Sequence, residues 1–219
     1  MKKHSKEYLA QLTPHKAYEL LVEGNRRFIN NLANDHDHLE MINETREGQY
    51  PFAVILSCMD SRTSTELIFD QGLGDIFSIR VAGNIVNNDI LGSIEYALKH
   101  VGSKLLVVLG HTACGAINSA VKGVEDGHIT ALLDRIQPAI SKALLTDAAE
   151  RPHNDGVAYA NVENSLEEIL TNSETVREMF REAKIGLVGA MYNVETGEVD
   201  FFKNLTQKDR IQAPRALAV

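Results

Sequence analysis

Two apolar runs in this chain are continuous where most others are spaced. Phe52-Ala53-Val54-Ile55-Leu56-Ser57 and Leu105-Leu106-Val107-Val108-Leu109-Gly110 read as strands buried on both faces, as in a parallel sheet. Around them, apolar positions recur at helical spacing. Thr13-Pro14 followed by Ala17, Leu20, Leu21, Gly24 and Phe28 predicts a capped amphipathic helix ending near Leu32. Residues 34–49 are polar and predict a short helix plus loop. A short helix at 64–70, broken by Gly72 and Gly74, separates the first strand from another at 75–81. Leu91, Ile94, Leu98 and Val101 mark a helix over 88–100, and one opens near Cys114. Ile129, Leu132, Leu133, Ile136 and Ile140 mark another, and Val162, Leu166, Ile169 and Leu170 a longer one over 155–182. Strand 184–191 then returns as 198–202 through the hairpin turn Glu195-Thr196-Gly197.

Strands alternating with helices give the α/β class, with a mostly parallel central sheet flanked by helices and an antiparallel strand at the C-terminal end. The chain of 219 residues is read as a single domain. It divides into an N-terminal helical arm (about 1–48), an α/β core (about 49–203) and a polar tail (204–219).

Charge and composition remove several function classes. The net charge of −8 is spread without a basic stripe, so a nucleic-acid footprint is not expected. No apolar run approaches the ~18 residues of a membrane span. The start is basic but continues into polar sequence without the apolar region of a secretory signal, which reads as a cytoplasmic chain. A mature periplasmic form whose signal has been removed stays open.

The candidate chemistry sits where the two apolar runs end. Cys58 follows the first, and His111 and Cys114 follow the second; these are the chain's two cysteines. Ligands of open α/β sheets bind outside the carboxyl ends of the strands. Two thiols and an imidazole gathered there make a zinc site with one tetrahedral position left over, the arrangement of a catalytic rather than a structural zinc. A cation would deprotonate the thiols outright. Asp60 and Arg62 flank the first thiol. The plain reading of Asp60 is a helix N-cap. The functional one is a carboxylate beside the fourth metal position, held ionised and oriented by Arg62.

The pair Cys58-Met59-Asp60-Ser61-Arg62 and His111-Thr112-Ala113-Cys114 resembles the hallmark of the β-class carbonic anhydrases. Gln49-Tyr50-Pro51, Gly74-Asp75-Ile76-Phe77, Arg80-Val81-Ala82-Gly83-Asn84, Ser93-Ile94-Glu95-Tyr96-Ala97 and Tyr192-Asn193-Val194-Glu195-Thr196-Gly197 are similar to that family's blocks, over roughly residues 16–203. The resemblance implies reversible hydration of carbon dioxide to bicarbonate through zinc-bound hydroxide, with one zinc per subunit on Cys58, His111 and Cys114. It implies Asp60 and Arg62 as a catalytic dyad, and Gln49, Phe77 and Tyr96 as lining of the substrate pocket. A backbone N–H near Gly115, or Gln49, is expected to polarise a substrate oxygen. The family's pocket lies between subunits, so the resemblance further implies a dimer or dimer of dimers whose N-terminal helices pack on the partner. Relatives regulated by bicarbonate carry Trp three residues before the first ligand and often Gly just before it. Ile55 and Ser57 stand there, which implies the non-allosteric, open-site type.

Other readings remain at this point. The same fold and metal serve hydrolysis of carbon disulfide or carbonyl sulfide. A structural zinc with Asp60 as fourth ligand, a cysteine nucleophile at Cys58 or Cys114, and a disulfide between the two thiols are the others. Asp35-His36-Asp37-His38 is weighed as a second metal site and read as a solvated loop.

Overall fold

The computed structural model of the chain describes residues 5–145 and 154–205. Helices α1 (Lys6–Gln11), α2 (Pro14–Ile29) and α3 (His38–Thr45) precede strand β1 (Ala53–Ser57). Then come α4 (Thr65–Ile68), β2 (Ile76–Arg80), α5 (Asn88–Glu95) and β3 (Leu105–His111). Helices α6 (Gly115–Val121), α7 (Gly127–Leu133), α8 (Gln137–Leu144), α9 (Asp155–Asn172) and α10 (Glu174–Arg181) lead to the hairpin β4 (Gly186–Tyr192) and β5 (Val199–Asn204). The strands lie in the order β2-β1-β3-β4-β5, parallel except for β5.

Continuous apolarity in β1 and β3 is accounted for by their position. Both are interior strands, buried along their full length, and consecutive residues face opposite helical layers. Ile55, Val107, Leu109 and Ala190 join Ala17 and Leu21 of α2 on one face. Val54, Leu56, Leu106 and Val108 join Ile94 and Leu98 of the α5 region and Val162, Leu166 and Ile169 of α9 on the other. The edge strand β2, by contrast, is only partly covered. Helix α9 approaches β3 so closely that a Cβ on Gly110 would lie 2.7 Å from Val162 Cγ2.

The chain leaves β1 toward β2 on one side, and β3 lies on the other, so β1 and β3 flank the topological switch point of the sheet. Their register pairs Ser57 with Leu109. Cys58 therefore emerges beside Gly110, one residue short of His111, and the two sequence-distant turns open onto one edge.

Several predicted helices are divided. The stretch 155–182 is broken at Ser173, whose Oγ accepts from Val176 N (3.1 Å) and donates to Glu95 (2.6 Å), capping α10 and redirecting the chain. The helix around Ile129–Ile140 is three pieces, α7, a 3-10 turn and α8, with Pro138 in the first turn of α8. The 88–100 helix widens after Glu95 into a turn of π type at Tyr96–Val101. Helix α2 ends at Ile29 rather than near Leu32, Asn31 taking a left-handed conformation just beyond it. Asn204 closes β5 rather than opening a tail; residues 206–219 lie outside the described residues. Helix α2 packs on this chain's own sheet through Ala17 and Leu21. Among the described residues no helix is long and apolar enough to cross a membrane.

Candidate metal centre

The turn after β1 is shaped by side chains that grip its carbonyls. Thr63 Oγ1 lies within hydrogen-bond reach of Cys58 O (2.9 Å) and Asp60 O (2.8 Å). From the end of β2, Arg80 donates to the same two oxygens at 3.2 and 2.6 Å. Cys58 is thereby turned inward and buried. Asp60 is held by Arg62 through Nε to Oδ1 (2.9 Å), Nη2 to Oδ2 (2.8 Å) and the backbone N–H to Oδ1 (3.0 Å). This two-pronged pairing with the guanidinium is the main reason the Asp60 carboxyl sits well below the usual carboxylate range.

The turn after β3 is clamped from outside. Thr112 donates its N–H to Tyr192 O (2.9 Å), and its Oγ1 accepts from Val194 N (3.1 Å). Ala113 has φ of 53°, a left-handed conformation uncommon for a residue with a side chain, and its N–H donates to Asp155 Oδ1 at 2.9 Å. His111 Nδ1 lies 2.9 Å from Thr112 O. A carbonyl only accepts, so Nδ1 carries the proton and Nε2 presents a lone pair. That Nε2 is buried without a hydrogen-bond partner, 4.0 Å from Asp60 Oδ2.

Cys58, His111 and Cys114 are all buried, and their ligand atoms lie within 4.8 Å of one another. Among the described residues no other group of three or more His, Cys, Asp or Glu side chains converges in this way. Both cysteines are free, with sulfurs 3.9 Å apart. Two sulfurs bound tetrahedrally to one zinc would stand about 3.8 Å apart. A buried imidazole nitrogen with an unused lone pair, facing two thiols at that separation, fits a zinc ion.

With only protons to share, the two thiols act as one pair. Cys58 is pulled well down, first by its hydrogen bond with Cys114, while Cys114 is pushed up by that partnership and by burial. The Gly83 N–H also points at Cys58 Sγ (3.4 Å). Gly83 has φ of 67°, and a Cβ there would lie 2.9 Å from Ile136 Cδ1, so a side chain at this position would be strained. Its carbonyl accepts from Asn161 Nδ2 (2.7 Å), and the next carbonyl, of Asn84, accepts from Ser165 Oγ (3.1 Å).

The remaining predicted residues divide. Gly115 opens α6 beside Cys114, exposed, with no atom within 4 Å of where its Cβ would be. Phe77 and Tyr96 share a groove of about 640 Å³ with Ile79 and Ala97. None of Cys58, Asp60, His111 or Cys114 lines that groove. Gln49 lies exposed in the loop before β1. Ile55 is fully buried in the α2-side core. The Asp35–His38 stretch is an anchor: His36 Nε2 meets buried Asp70 at 3.2 Å, which also binds Arg27 and Asn34.

No sequence pattern assigns a role at the site to Arg80, Gly83, Asp155, Asn161 or Ser165. Arg80 and Gly83 stood within a family-like block; the α9 residues carried no local signal.

The sequence profile of the carbonic anhydrase family matches residues 53–199. Over 193 residues the chain is 34% identical to carbonic anhydrase 2 of Mycobacterium tuberculosis, covering 84% of this chain and 90% of that protein. A chain from the tetrameric β-carbonic anhydrases of Sordaria macrospora superimposes with a TM-score of 0.67 at 25% identity, over 86% of this chain and 96% of that one. The fold is also that of a Coccomyxa β-carbonic anhydrase solved with acetazolamide (TM-score 0.71, 23% identity, 90% and 91% coverage).

Proposed function

This chain belongs to the β-class carbonic anhydrases, and we propose that it interconverts carbon dioxide and bicarbonate at a zinc ion held by Cys58, His111 and Cys114. The observation that carries this reading is the partnerless, buried Nε2 of His111, with two thiols and an oriented carboxylate around it. Zinc bound there would supply the Lewis acidity that makes water nucleophilic near neutral pH.

The chain's own residues do the rest. Asp60 stays ionised and accepts a hydrogen bond from the attacking oxygen, fixing which lone pair faces carbon; Arg62 sets its angle. A carboxylate of such low proton affinity is an acceptor of hydrogen bonds, not a carrier of the released proton at neutral pH. The N–H of Gly115, an exposed residue that opens α6, would stabilise charge on a substrate oxygen. Both Asp60 oxygens are engaged by Arg62, which favours a carboxylate that remains off the metal and hence the open, non-allosteric type.

The apolar side of the pocket is assigned to a second copy of the chain, which brings Phe77, Tyr96 and Gln49 to the metal centre in a dimer or dimer of dimers. The separation of the Phe77–Tyr96 groove from the cluster within one chain supports this. So does the exposure of Leu39, Ile42, Met59 and Leu67, apolar side chains suited to an interface.

Stopped-flow carbon dioxide hydration tests the reading, with zinc-loaded, chelator-stripped and zinc-restored protein compared from about pH 6.5 to about pH 9. Turnover that vanishes with the metal and returns with it is expected. Zinc-bound protein inert at every pH would sink the assignment, and faster turnover of carbonyl sulfide or carbon disulfide would redirect it. Sigmoidal dependence on bicarbonate would overturn the open-site type.

A further inference from the structure

We infer that helix α9 positions the metal ligands from both sides of the switch point, Asp155 holding the His111–Cys114 turn and Asn161 holding the donor to Cys58. The inference rests on the zinc reading of those three residues.

The first contact begins with Ala113. It lies between two ligands, in a left-handed conformation that an alanine does not readily keep by itself. The oxygen that fixes its N–H belongs to Asp155, the first residue of α9. The helix is brought there by packing. Gly110, immediately before His111, leaves room for Val162 and for the Ala158 carbonyl, which lies 3.6 Å from where a Gly110 Cβ would be. One turn earlier along α9, Asp155 reaches the turn beyond His111. The adjoining Asn154 is tied to α6 through Asn118 Oδ1 at 2.8 Å, so the start of the helix is fixed against the helix that follows Cys114.

The second contact lies two turns further along the same helix. Asn161, buried, donates to Gly83 O at 2.7 Å. Gly83 in turn directs its N–H at Cys58 Sγ. Ser165, one turn on, takes the neighbouring Asn84 carbonyl and keeps that loop from rotating. No α9 side chain named here is a ligand. Asp155 and Asn161 act through Ala113 and Gly83, as positioning residues, and one rigid element ties together ligands 53 to 56 residues apart in sequence.

The test follows the metal rather than turnover. Zinc release to a competing chelator, and the visible spectrum of cobalt-substituted protein, are measured for Asp155→Ala, Asp155→Asn and Asn161→Ala. Removing a group that orients a ligand typically costs about 10–100-fold in metal affinity. Asp155→Ala is therefore expected to lose zinc about 10–100-fold more readily, with an altered cobalt spectrum. Asp155→Asn keeps an acceptor oxygen and is expected within about threefold of the parent. Asn161→Ala is expected to shift the cobalt–thiolate absorption. A folded Asp155→Ala with parental zinc release and cobalt spectrum overturns the role of Asp155. So does an Asp155→Asn as weak as the alanine, or an Asp155→Ala that is unfolded before metal is added, since each makes the residue something other than a hydrogen-bonding positioner. An unchanged cobalt spectrum in Asn161→Ala overturns the second half. Zinc held in this Asp155-dependent way by a protein that hydrates no carbon dioxide would sink the proposed reaction and leave this inference standing.

Discussion

The candidate metal centre and the Phe77–Tyr96 groove differ in how much of each is finished inside one chain. At the centre, Asp60 is held by Arg62, the Cys58 carbonyl by Thr63 and Arg80, and the Ala113 N–H by Asp155, while the buried His111 Nε2 has no hydrogen-bond partner. The groove has an exposed Tyr96 stacked on His100, a half-buried Phe77 and no ligand residue. One region is preorganised by its own fold; the other is an open groove that, on the proposed reading, a second copy completes. Metal binding should therefore depend on the single chain, whereas substrate handling should depend on assembly.

The strongest way to break that division is to remove a ligand. Cys58→Ser, His111→Ala or Cys114→Ser should abolish stoichiometric zinc by metal analysis and activity with it, whatever the state of assembly. Next, Asp60→Asn should retain full zinc while kcat falls on the order of 10²-fold, the scale of losing the group that orients the attacking oxygen. A metal-replete Asp60→Asn with normal turnover would remove Asp60 from the chemistry.

Smaller effects belong to the groove. Phe77→Ala and Tyr96→Ala should leave zinc content untouched and reduce kcat/KM by about 10-fold each, the scale of losing part of an apolar pocket. Leu39→Glu, on the exposed face of α3, should shift the sedimentation profile toward monomer and lower activity at unchanged zinc. If a monomer by sedimentation remains fully active, the second copy is dispensable and the division fails.

The least effect concerns stability in acid. Asp60's carboxyl is depressed by Arg62, so its contribution is present above its unfolded value of about 3.9 and is lost as pH falls toward the lower folded value. Arg62→Ala should consequently destabilise the metal-free protein at pH 6 and converge with the parent in strong acid. Urea midpoints at the two pH values would show it.

The same division runs through what could be read from the sequence. β1 and β3 were legible because a strand covered on both faces must be apolar throughout, and the convergence of Cys58, His111 and Cys114 was legible because they follow those runs directly. The break at Ser173 was not, because the apolar positions stay helical in spacing on both sides of the serine, and its tie to Glu95 lies far away in sequence. Asp155 and Asn161 were invisible for a related reason: each serves a turn about 40 to 80 residues upstream, and nothing near either residue marks that service. Phe77 and Tyr96 were recognised within blocks, yet that their groove excludes Cys58, His111 and Cys114 belongs to tertiary structure alone.

The pairing of Ser57 with Leu109 has a consequence for assembly of the chain itself. Each residue advances a strand by about 3.3 Å and reverses the face its side chain takes. A sheet mispaired by one step would carry Cys58 away from His111 by more than the reach of a metal–ligand bond and point it into the wrong layer. Only the correctly aligned sheet would capture an ion on these three residues, so zinc bound there would act as a gauge of strand alignment, and molecules folded out of step would declare themselves by failing to load.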